Sequence, residues 1–228
     1  MQKFHFLPLK NLSITVCLIL FFHAQLQAQN PYGAILSMED RAHTINRLLE
    51  DKVQNTLPQL MRDTGIDMWL VISREYNEDP VIKTLLPAEW LAARRRTILV
   101  FFDRGEEEGV ETLAVARYDV GSVFKSAWNK EAQPDQWARL AEIISERSPK
   151  KIGVNISEHY GLADGLVATD YEELKSALPM SDRAKIVSAE KLAVAWLETR
   201  SPAEMQVYPH IIAISHKIIK EAFSDKVI

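Results

Sequence analysis

Met68-Trp69-Leu70-Val71-Ile72 is a continuous apolar run, entered through Gly65-Ile66-Asp67 and left through Ser73-Arg74-Glu75-Tyr76-Asn77. Five apolar residues between turn-forming and polar ones are too few for a core helix and predict a strand covered on both faces. Upstream, Ile45, Leu48, Leu49, Val53, Leu57, Leu60 and Met61 recur at three- and four-residue steps. That spacing predicts one helix face, kinked near Pro58 and ended by Gly65. Helix, buried strand and polar loop in succession are the start of a layered α/β domain.

Further along the chain, Thr97 to Phe102 predicts a second buried strand, and Asp103-Arg104-Gly105 through Gly109 a turn. Thr112 to Ala116 predicts a third strand, antiparallel to the second. Pro134 opens a helix with Trp137, Leu140, Ala141 and Ile144 inward, and Ile152-Gly153-Val154-Asn155-Ile156 gives a fourth strand. Thr169-Asp170-Tyr171-Glu172 fits a capping box for a helix ending at Pro179, and Ile186-Val187 fits a short edge strand. The expected fold class is α/β: a three-layer α/β/α domain around a mixed sheet.

The tail follows another logic. Ser188 to Glu198 predicts a helix with Leu192, Trp196 and Leu197 inward, and Thr199-Arg200 breaks it. Serine at 201, proline at 202 and glutamate at 204 then make a strong helix start. Ile211, Ile212, Ile218, Ile219 and Phe223 form an apolar stripe beyond it, with a kink expected at Pro209. Such a face calls for a partner.

Residues 1–28 stand apart. Lys3 and Lys10 occur without any acid, an apolar run covers Leu12 to Phe22, and Leu26-Gln27-Ala28 closes the segment. This is the pattern of a secretory signal, and the run is too short to span a bilayer. Cleavage after Ala28 removes the two lysines, taking the net charge from −4 to −6, and leaves no membrane span. The expected location is outside the cytoplasm, periplasmic or secreted. Cys17 leaves with the signal, which rules out a disulfide framework, a thiolate metal site and a cysteine nucleophile in the mature chain.

The acidic balance is no footprint for nucleic acid. Arg94-Arg95-Arg96 and Glu106-Glu107-Glu108 predict a solvated or mutually paired surface. No His-Glu-x-x-His, glycine-rich nucleotide loop, phosphate loop or Gly-x-Ser-x-Gly occurs. His43, His159, His210 and His216 lack the converging partners that a metal needs, so no catalytic or metal-ligating residue is assigned. The loop after the first strand is different, because α/β folds place ligands beyond the carboxyl ends of strands. Arg74, Glu75 and Asn77 are therefore candidates for a substrate-facing or interface loop; the alternative is a turn with internal charge pairs.

The order of these segments resembles the creatinase/prolidase N-terminal domain. The resemblance rests on Leu57-Pro58 through Arg62, Gly65 to Val71, Ile152 to Asn155, Tyr171-Glu172-Glu173-Leu174, Ser188-Ala189-Glu190-Lys191 and Arg200 to Met205. In aminopeptidase P, prolidase and creatinase that domain precedes a "pita-bread" catalytic domain. The resemblance implies a signal peptide at 1–28, the N-terminal domain at 29–198, and the first, incomplete part of a metallopeptidase domain at 199–228. It also implies a dinuclear manganese, cobalt or zinc centre, held by two aspartates, a histidine and two glutamates in the catalytic domain and not in this chain. The implied role is the non-catalytic part of an exported Xaa-Pro aminopeptidase, supporting homodimerisation and access of a peptide substrate. The implied partner is the chain's own catalytic domain. Two other readings stay open: a stand-alone secreted binding module, and a creatinase-like or inactive relative.

Overall fold

The structure is a computed structural model that describes residues 35–225. The expected signal segment lies outside the described residues. The described part divides into two units, Ser37–Val207 and a second holding residues 35–36 and 208–225.

In the first unit, α1 (Met38–Asn55) is capped by the Ser37 side chain, which accepts from the Asp40 amide. The expected kink is a full break at Thr56, and α2 (Leu57–Thr64) restarts with Pro58 in its first turn, where the missing N–H costs nothing. Gly65 ends it at φ 66°, a left-handed conformation that a side chain would strain. The chain then enters β1 (Met68–Arg74), which is buried over its first six residues. β2 (Arg96–Asp103) and β3 (Val110–Ala114) follow as an antiparallel meander, with Met68 opposite Phe102 and Val100 opposite Leu113. β4 (Lys125–Ser126) adds a short parallel rung to β3.

On the other side of β1 lie β5 (Ile152–Val154) and the edge strand β6 (Ile186–Ser188), both parallel. The sheet is mixed and six-stranded in the order β4-β3-β2-β1-β5-β6. Between β4 and β5 runs α3 (Gln136–Arg147). Between β5 and β6 run α4 (Ala168–Ala177) and α5 (Met180–Arg183). After the sheet come α6 (Glu190–Glu198) and α7 (Pro202–Ala222).

The strand period of two sorts β1 between two cores. Trp69 and Val71 join α1, α2 and α6 on one face, with Leu57, Met61, Phe101 and Trp196. Met68, Leu70 and Ile72 meet α3 and α4 on the other, with Leu140, Ile144 and Leu174. Helices therefore cover both faces of the sheet. Trp69 stacks on Phe101 at 5.2 Å between centroids and meets the edge of Trp196 at 6.5 Å. Each such fully buried side chain is worth about 1.5–3 kcal/mol.

Local details differ from expectation. Asp135, not the segment at Pro134, caps α3 by accepting from the Trp137 amide, and Ile143 rather than Ala141 completes its buried face. The Thr169 capping box does not form: α4 begins at Ala168 after Val167, with no side-chain cap. Asp170 is drawn instead into an ion pair beneath the sheet end. The arginine and glutamate runs do not pair with each other; Arg96 reaches Asp170 and Glu173, and Arg104 pairs with Glu108. The box at Ser201 does form, with the Ser201 amide donating to Glu204 at 2.7 Å and the Glu204 amide to Ser201 Oγ at 3.2 Å.

α7 crosses from the first unit into the second and stays helical through Pro209. In the second unit Ile211, Ile212, Ile218, Ile219 and Phe223 are all exposed, Phe223 by 76%.

Candidate functional site

β1 delivers Arg74 to the carboxyl end of the sheet, and Arg96 opens the neighbouring strand directly opposite it. Both turn toward α4. Arg74 donates from Nε and Nη2 to the two oxygens of Asp170 at 2.9 and 2.7 Å, and this pairing raises its pKa above the usual guanidinium value. Asp170 is fully buried, and Arg96 Nε lies 3.1 Å from it without pointing an N–H along that line. Arg96 Nη2 instead donates to Glu173 at 2.7 Å, an oxygen that also accepts from Trp137 Nε1 at 2.7 Å. The Arg96 guanidinium lies over the Trp137 ring at 4.7 Å.

Glu75 and Asn77 go elsewhere. The Glu75 amide donates to the Arg95 carbonyl at 2.6 Å, and its carboxylate accepts from the Arg95 amide at 3.1 Å. This clasp holds Arg95 at φ 53° and ties the loop after β1 to the loop before β2. The Asn77 amide returns to the Arg74 carbonyl at 3.1 Å, closing the turn around Tyr76 at φ 69°. The three residues thus share one loop but play different parts. Arg74 is engaged by Asp170, while Glu75 and Asn77 remain exposed. Asp170, Arg96 and Glu173 belong to the same cluster, although the sequence pointed to them only as parts of a capping box, a surface charge run and a helix segment. An acid near the start of α4 gave the only local signal.

Behind this loop lies a buried polar chain. The Ser73 hydroxyl accepts from the Asp79 amide at 3.0 Å, and Asp79 Oδ1 accepts from the Val81 amide at 2.6 Å. Asp79 Oδ2 accepts from Asn155 Nδ2 at 2.8 Å, and Asn155 Oδ1 from Trp69 Nε1 at 2.8 Å. Burial pushes the Asp79 carboxyl up from its ordinary pKa, against the hydrogen bonds that favour its charge. Gly165 makes room for it, since a Cβ there would stand 2.2 Å from Asp79 Oδ2. With its acceptors engaged, this group ties the loop to β1 and β5.

A cavity of about 560 Å³ runs past the carboxyl ends of β5 and β6, lined among others by Ser157, His159, Ser188 and Glu190. Its hydroxyls are already committed: Ser157 Oγ donates to Glu190 and accepts from the amides of His159 and Tyr160, Ser188 Oγ donates to the Ile156 carbonyl, and Thr64 Oγ1 to the Leu60 carbonyl. Around Ser157 that is the wiring of a turn, with the Glu190 carboxylate as the acceptor of the Ser157 proton. Among the described residues no group of three or more His, Cys, Asp or Glu is placed to hold a metal ion. The donor set required by the implied dinuclear centre is thus not offered by these residues, and no step is assigned to it. Also among the described residues, no helix is long and apolar enough to cross a membrane. Compared with protein-family models, curated proteins and solved structures, the chain matches none of them.

Proposed function

We propose that this chain acts as the non-catalytic N-terminal part of an exported, aminopeptidase P-like metallopeptidase. The observation that carries the reading is α7. A helix with a complete capping box leaves the α/β unit and then exposes Ile211, Ile212, Ile218, Ile219 and Phe223. Apolar side chains of that number favour cover, and a following domain of the same polypeptide is the cover this reading supplies. The ordered resemblance from Leu57 to Met205 supports the same joint.

In this reading the catalytic domain supplies the two metals, which activate water for hydrolysis of an Xaa-Pro peptide. The present chain positions that domain, narrows access to it, and pairs with a second copy of itself. Residues 1–28 direct export, and mature protein begins at Gln29. The test is to read the frame downstream of codon 228 and assay the whole product. An open frame with further aspartate, histidine and glutamate ligands, and Xaa-Pro hydrolysis abolished by a chelator, is the expected result. An immediate stop codon, or a full-length product without hydrolysis, would overturn it. N-terminal sequencing that finds residues 1–28 retained on cytoplasmic protein would reject export.

A further inference from the structure

A second cavity, of about 230 Å³, lies on the far side of the Glu75–Arg95 clasp, between the start of β2, the end of β3 and the approach to α3. Three separate chain segments bring Arg94, Arg95, Arg96, Arg117 and Lys130 to its wall, and no carboxylate lines it. Arg96 is compensated by Asp170 and Glu173. The other four are not: among the described residues, none of Arg94, Arg95, Arg117 and Lys130 makes an ion pair. The nearby acids are engaged elsewhere, Glu75 on the Arg95 amide and Asp119 on Lys125 and the Ser126 amide.

One of these guanidinium groups is also held in place. The Arg94 guanidinium lies over the Trp90 ring at 4.1 Å and 5.7 Å from the Tyr118 ring. This keeps the guanidinium plane fixed while its edge N–H groups stay available. Arg95 is fixed in its left-handed conformation by two hydrogen bonds to Glu75. Gln136 closes the wall by donating to the Arg96 and Val115 carbonyls at 3.2 and 2.6 Å. Four like charges around one small concavity repel each other, and a bound anion turns that cost into attraction.

We propose that this cavity binds a compact multivalent oxyanion of the phosphate class, either inorganic phosphate or the phosphate group of a small ester. Guanidinium forks match the paired oxygens of such a group, and four uncompensated cations favour a dianion over a single carboxylate. The site is independent of the proposed metallopeptidase context, since it uses only residues of the α/β unit.

The experiment is calorimetric titration of the whole chain with inorganic phosphate, glycerol phosphate and acetate, each at ionic strength matched with chloride. Saturable one-site binding of phosphate or its ester, and none of acetate, is expected. Tighter binding of the ester identifies an ester as the ligand, and equal binding identifies the free ion. Arg117→Gln and Lys130→Gln, both at exposed positions outside the core, each weaken binding by about tenfold. Lys191→Gln, on the wall of the other cavity, leaves it unchanged. Equal responses to all three anions, no saturation, or an unchanged affinity in the Arg117→Gln, Lys130→Gln double variant would overturn the proposal.

Discussion

Arg74 and Asp170, separated by 96 residues in sequence, form a two-nitrogen, two-oxygen ion pair at the carboxyl end of β1. The carboxylate is fully buried, whereas the arginine side chain keeps 37% of its surface in solvent. The two partners are therefore not equal. Asp170→Ala leaves two guanidinium groups facing a void and should cost about 3 kcal/mol. Arg74→Ala should cost less, about 1–2 kcal/mol, because Arg96 still neutralises the buried acid. A double-mutant cycle read by urea denaturation measures the coupling; a value near zero would mean that the pair contributes no more than its separate parts.

The second prediction concerns Asp79. Asp79→Asn turns an amide toward the Asn155 amide or toward the Val81 N–H, so one donor must face another. The expected loss is about 1–3 kcal/mol. Gly165→Ala presses on the same carboxylate from the opposite side and should destabilise too. Since both changes disturb one group, their combined effect should fall short of the sum. Full additivity in denaturation experiments would show that the two positions do not share a constraint.

Acid sensitivity has a definite sign. Hydrogen bonds from Arg62 hold the Asp103 carboxyl below its ordinary pKa, and those from Arg147 do the same for Glu111. A carboxylate with a lowered folded-state pKa stabilises the fold above its unfolded value, about pH 4, and loses that contribution as pH falls through the folded value. Asp79 works in the opposite direction: its raised pKa makes the fold less stable as pH rises above the ordinary aspartate range. Melting temperature followed from pH 5 down to about 2 should therefore fall. The fall should be shallower in Asp103→Asn and Glu111→Gln. An unchanged slope in both variants would remove these pairs from the account.

Where the chain is cut at its C-terminal side should matter. Lys52 is buried to 8% side-chain exposure, lies 4.6 Å from the Trp196 ring centroid, and pairs with Glu204 at 3.5 Å. Burial lowers its pKa while Glu204 pulls the other way. Deleting residues 208–228 keeps this pair, and the unit Ser37–Val207 should retain its melting temperature. Deleting residues 201–228 strands the lysine and should cost about 2–4 kcal/mol. Glu204→Gln in the whole chain should reproduce part of that loss. Thermal melts of the two truncations that coincide would refute the role given to Lys52.

The features legible in the sequence were those written locally. The run from Met68 to Ile72 could only be a strand, because five apolar residues flanked by Gly65 and Arg74 cannot bury a helix face. The Ser201-Pro202-Glu204 cap depends on neighbours three residues apart and formed as expected. The same motif at Thr169 did not form because the helix starts earlier, at Ala168, which puts Thr169 inside its first turn, and Glu172 is taken by Lys175. β4 was invisible for another reason: Lys125 and Ser126 are both exposed and become a strand only by pairing with Leu113 and Ala114. The loop after β1 lies at the strand end, and Arg74 looks equally available in sequence whether or not an acid waits beneath it.

The sheet order has a kinetic consequence. On one side of β1 the partners are β2 and β3, joined in an unbroken meander; on the other they are β5 and β6, reached only after α3 has been laid down. Met68 thus finds Phe102 across a much shorter loop than the one that brings it Ile152. Shorter loops close at lower entropic cost, and topologies made of near contacts assemble faster. During refolding, amides of β1, β2 and β3 should gain protection from hydrogen exchange first, with β5 and β6 joining as α3 docks. Pulse labelling that finds β5 protected before β2 would reverse that order, and would place the nucleus in the parallel half of the sheet.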